Sequence, residues 1–133
     1  MRILSLAIFL ALSASAFADD DAPAPSAEAL INSAIADIDS HRALVTKVTI
    51  PANFTLPTHY HPSEEFLYVM QGTTELRIEG QPAQILTAGM AVTIPAKAVH
   101  TAATLDGLAK VIVFRIQPNG QPVRIPTKDT NHD

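Results

Sequence analysis

His59-Tyr60-His61-Pro62-Ser63-Glu64-Glu65 concentrates more reactive side chains than any other stretch of this 133-residue chain. In a β-strand, residues two apart point to the same face. His59 and His61 can therefore aim both imidazoles at one point, with Tyr60 turned the other way as packing. Pro62 and Ser63 break the strand, and a new run begins at Glu65. There Glu65, Leu67 and Val69 share one face, and Phe66, Tyr68 and Met70 share the other. A carboxylate heading an otherwise apolar face is costly to bury unless it is paired or bound to a metal. Two imidazoles facing it supply a reason for a metal to be there. Alternation turns Glu64 away from Glu65. Its ordinary reading is a surface carboxylate, and its functional reading is a candidate acid/base group behind the site.

Around this stretch the pattern is one of short strands, predicted at 43–50, 65–70, 73–79, 84–87, 91–94, 99–105 and 110–116. Turn signals punctuate them at Gln71-Gly72, Gly80-Gln81-Pro82 and Asp106-Gly107. Many short strands with frequent turns point to a sandwich or a closed barrel. His100 opens one of these strands amid small and apolar neighbours, where a lone histidine is most often an ordinary core residue. Phe54, Tyr68, Met70, Met90, Phe114 and Ile116 read as core or pocket wall, and Arg77 and Arg115 as surface or strand-edge charges. His41 is expected to be exposed before the first barrel strand, and His132 lies in the tail. Leu30, Ile31, Ala34, Ile35 and Ile38 fall at helical spacing, so a short helix is predicted over 28–38 with Ser26 as its N-cap. The tail from Gln117, with Pro122 and Pro126, is expected to be extended and partly mobile.

Composition sets the outer bounds. With 47% hydrophobic and 17% charged residues the chain is globular and long enough for one domain. Nine basic residues against 13 acidic ones, with no Lys/Arg run, disfavour nucleic acid as a partner. The absence of cysteine excludes disulfides, thiolate metal sites and thiol nucleophiles, so any metal must sit on nitrogen and oxygen. At the start, Arg2, an apolar run over 3–12 and Ala16-Phe17-Ala18 read as a secretory signal peptide, residues 1–18, cut after Ala18. The apolar run is shorter than the roughly 20 residues that span a bilayer. The expected product is secreted or periplasmic and free of the membrane after cleavage. It has a flexible acidic leader over 19–27 and one domain over 28–133 whose core is 43–117.

The runs Asn53-x5-His59-x-His61-x3-Glu65-x6-Gly72 and Gly89-x5-Pro95-x-Lys97-x2-His100-x3-Thr104 resemble the two motifs of the cupin family. Asn53 and Lys97 stand where the family usually has glycine, and Thr104 stands where asparagine is frequent. The resemblance implies an all-β double-stranded β-helix, the cupin jelly-roll barrel, here expected to carry the short N-terminal helix as an addition. It implies a metal inside the barrel on His59, His61, Glu65 and His100. Three imidazoles and a carboxylate suit one divalent transition metal, whether Fe, Mn, Ni, Zn or Cu. The chain is similar to small single-domain cupins of the quercetin-dioxygenase-like group. That resemblance implies dioxygenase-like or lyase/isomerase-like action on an oxygen-bearing small molecule, and pairing of two copies through outer strands. The alternatives are a non-catalytic periplasmic module that binds a metal or small ligand, and a barrel that keeps its ligands while acting in a complex.

Overall fold

Period-two alternation becomes burial along the strand Glu65–Gln71, where Glu65, Leu67 and Val69 are buried while Phe66, Tyr68 and Met70 are exposed. The computed structural model describes residues 23–127, and its regular elements are all strands. In chain order they are β1 (Ser26–Ile35), β2 (Ile38–Ile50), β3 (His59–Tyr60), β4 (Glu65–Gln71) and β5 (Thr73–Ile78). Then come β6 (Gln84–Thr87), β7 (Ala91–Ile94), β8 (His100–Ala103), β9 (Ala109–Pro118) and β10 (Ile125–Pro126). They form two five-stranded antiparallel sheets, β1-β2-β9-β4-β7 and β10-β3-β8-β5-β6.

The inner faces of both sheets meet in a core of Leu67, Val69, Leu76, Ile78, Leu86, Ile94, Val111 and Val113. Branched side chains that alternate along their strands suit such a double layer. Along β4 and β9 the lining changes character: beyond Leu67 stands Glu65, and beyond Val113 stands Arg115. Each strand thus carries buried apolar residues along most of its inward face and a buried charge near one end. The β4–β5 turn is made at Gly72, with φ of 77°, where an added Cβ would lie 2.1 Å from the Leu108 carbonyl oxygen. Only glycine permits that close approach.

Several expectations are corrected. Residues 28–38 are not helical: β1 pairs with β2 from Ser26↔Thr49 to Ile35↔Ile38, around a tight turn with Asp37 at φ of 61°. The apolar spacing there misleads because β1 is exposed along nearly its whole length, so no buried face disciplines its pattern. The ladder to β2 satisfies its backbone groups and overrides local preference. His41 lies within β2, half-buried, with Nδ1 2.8 Å from Ser40 Oγ. Tyr68, Met70 and Ile116 are exposed, not core or pocket wall, because alternation that turns Glu65 and Arg115 inward turns their neighbours outward, and Met90, just before β7, is exposed as well. The chain after Gln117 runs into β10, which pairs with β3, and Gln117 itself is fully buried. The signal segment 1–18, leader residues 19–22 and His132 lie outside the described residues, and the leader's last two residues open β1.

Candidate metal centre

His59 on β3 and His100 on β8 are direct cross-strand partners, and His61 follows two residues after His59 on the same face. The three rings lie with centroids 4.5 to 5.4 Å apart. Each Nδ1 meets a backbone carbonyl: His59 that of Pro57 at 2.8 Å, His61 that of Val123 at 2.5 Å, and His100 that of Ala98 at 2.8 Å. A carbonyl only accepts, so each Nδ1 carries the proton and each Nε2 keeps its lone pair. All three rings are buried and each offers a nitrogen within 4.8 Å of the others. Burial pushes the His59 imidazole down to about 4, further helped by the charges of Arg124 and its neighbour histidines. Burial also lowers His100. Rings fixed by Nδ1–H donation and converging through Nε2 are what a divalent metal requires of its histidines. The residues fit the group.

The turns hold these rings in place. Asn53 and Lys97, the two departures from glycine, have φ of 54° and 63°, so both positions do require the left-handed region. The Lys97 amide donates to the His61 carbonyl at 2.8 Å, which ties the β7–β8 turn to a histidine. Thr104 Oγ1 donates to the Pro51 carbonyl and accepts from the Phe54 amide at 3.1 Å, closing the loop around Asn53.

Glu65 borders the histidine cluster without joining the converging set. Its Oε2 lies 3.0 Å from His61 Nε2 and pairs with Arg115 Nη2, which is itself 3.2 Å from His61 Nε2. With the His61 proton on Nδ1, both Nε2 and Oε2 are acceptors, and the guanidinium nitrogen bridges them. Burial would raise the Glu65 carboxyl, but the Arg115 charge opposes that, and the carboxyl is held below the usual carboxylate range. Arg115 is therefore no strand-edge charge but a buried part of the site, 6% exposed. A signal for it existed in the sequence: it is in phase with Val111 and Val113, and alternation carries it inward. Arg77 is exposed and pairs with Glu75. Glu64 is exposed, as its ordinary reading expects, and makes none of these contacts.

Two spaces adjoin the cluster. A cavity of about 600 Å³ opens beside His59 and His61, walled by β1, β2 and the segment before β10. A smaller space of about 60 Å³ lies among His59, Glu65, His100 and the apolar core side chains.

A family model described as Cupin domain matches residues 46–115, just over half of the chain. The chain belongs to the cupin family. Solved cupin folds resemble it closely in architecture and distantly in sequence. The DMSP lyase DddQ from Ruegeria pomeroyi DSS-3 superposes with a TM-score of 0.69 at 23% identity, over 90% of this chain and 59% of that one. This cupin thus spans less than two thirds of that lyase's length. A cupin-like protein from Thermotoga maritima gives 0.64 at 24% identity, over 77% and 75% of the two chains. The polyketide cyclase RemF from Streptomyces resistomycificus gives 0.61 at 20% identity, over 77% and 70%. No curated protein matches the sequence.

Proposed function

We propose that this cupin binds one divalent transition metal through His59, His61 and His100, with Glu65 as a fourth ligand, and acts on an oxygen-bearing small molecule in a lyase- or isomerase-like reaction. One observation carries the reading: three buried imidazoles converge, each held through Nδ1 by its own backbone carbonyl. When bound, the metal would supply Lewis acidity toward a substrate oxygen. The chain supplies the rest. The carbonyls of Pro57, Val123 and Ala98 fix the rings, and Arg115 keeps the Glu65 carboxylate ionised and in place. Apolar side chains such as Val48, Leu56 and Val113 line the cavity beside the rings. The likeness in fold to a DMSP lyase and a polyketide cyclase favours non-oxidative chemistry over dioxygenase-like chemistry.

The purified protein should hold about one metal ion per chain. His61→Ala removes a ligand, and its metal affinity should fall by at least about 100-fold in chelator competition. Unchanged affinity in that variant refutes the assigned centre. Incubation of the loaded protein with β-substituted carbonyl compounds should give product without oxygen uptake. Oxygen consumption in step with product would replace the lyase-like reading with the dioxygenase-like one.

A further inference from the structure

Two guanidinium groups, Arg115 and Arg124, line the larger cavity beside the histidines, and no Asp or Glu lines it. That is against the balance of a chain with 13 acidic and nine basic residues. Glu65 borders the smaller inner space instead. The contacts of Arg115 to Glu65 and His61 both run through Nη2, and its Nε is buried without a hydrogen-bond partner. A buried donor left unmatched costs free energy until an acceptor arrives. Arg124 comes from the segment before β10 and donates through Nη2 to the Pro57 carbonyl at 2.7 Å, which anchors it at the cavity wall. The remaining lining is largely apolar, with Leu44, Val48, Leu56 and Val113 prominent. Such a cavity offers a planar cationic fork at its polar side and hydrocarbon elsewhere. A guanidinium matches a carboxylate through parallel N–H···O bonds.

We propose that this cavity recognises a small molecule with a carboxylate and an apolar body, the carboxylate being held by Arg115 and Arg124 beside the histidine cluster. As a statement about the substrate of the reaction it rests on the metal-centre reading; as a statement about binding it stands on the two arginines. A bound divalent cation would add positive potential to the cavity and work in the same direction.

The test is calorimetric titration of the metal-loaded protein with benzoate and with benzamide, which keeps the shape and lacks the charge. Benzoate should bind at least about tenfold more tightly than benzamide. Arg124→Gln, at an exposed position, should remove most of that preference in the metal-loaded protein, with benzamide binding retained. Removing the Arg115 charge would strand Glu65, so the second variant is Arg115→Lys, which keeps the charge and loses the fork; benzoate binding should weaken about tenfold. Equal binding of benzoate and benzamide, or a preference that survives in both variants, overturns the proposal. Tighter binding of inorganic phosphate than of benzoate overturns the carboxylate assignment. A chain that takes up no metal yet prefers benzoate refutes the metal centre alone, and a metal-loaded chain without the preference refutes the carboxylate site alone.

Discussion

Lys97 adopts a φ of 63° in the turn between β7 and β8, and its amide holds the His61 carbonyl. A side chain in that region costs roughly 1–2 kcal/mol. Glycine would relieve this but would lose about 0.5–1 kcal/mol through the greater freedom of the unfolded chain. Lys97→Gly should therefore stabilise the protein modestly, by about 0.5 kcal/mol in denaturant unfolding. A lowered midpoint would mean that the lysine side chain makes a compensating contact. At this scale the sequence is most readable where alternation governs. It placed His59 and His61 on one face and turned Glu65 inward with Leu67. The same rule, applied to β9, carries Arg115 inward as well. What alternation does not reveal is which partner a buried charge chooses, and the pairing of Arg115 with Glu65 bridges residues 50 positions apart.

The C-terminal segment shows how an element with little regular structure can matter. β10 is two residues long, yet the chain just before it supplies Val123, whose carbonyl accepts from His61 Nδ1, and Arg124, which anchors on Pro57. A proline-containing polar tail carries no pattern announcing such contacts, since each has a backbone carbonyl as one partner. Truncation after Gln121 should leave the barrel's far-ultraviolet spectrum largely intact and lower metal affinity by about 10–100-fold, the range seen when a ligand's orienting partner is lost. Undiminished affinity would show that the His61 ring is held without the Val123 carbonyl. β1 is the opposite case. Its apolar residues suggest a helix, but the backbone of the long strand β2 offers a ladder that a solitary exposed helix could not match.

For the molecule as a whole, the buried site couples folding to pH. His59 titrates near about 4 in the folded chain against 6.5 when free, and His100 is lowered as well. The unfolded chain therefore binds more protons below pH 6.5 than the folded one, and stability falls as pH drops from there toward about 4. Glu65, held near about 2 against 4.5, contributes stability that is complete above 4.5 and is lost as pH falls toward 2. The metal-free protein should thus show a falling thermal midpoint from pH 7 to 4, followed by a further fall below 4.5. A flat midpoint between pH 7 and 4.5 would contradict neutral buried histidines. Strand length and turn frequency narrowed the class to a sandwich or a closed barrel, and the barrel itself came from the resemblance of the two histidine motifs to cupins. The order of strands within each sheet was not, because antiparallel ladders such as His59↔His100 join distant residues and leave no local mark.

β1 packs chiefly on β2, while its residues Ala27 and Ala29 form part of the wall of the larger cavity. None of the contacts that orient the three histidines comes from this strand. One part of the cavity wall therefore lies on a stretch separate from the ligands and their orienting partners. A lineage, or an engineer, can enlarge or narrow the wall at these two alanines and leave the ligands and the apolar core as they are. The outermost strand is the part of this barrel most open to acquiring new specificities.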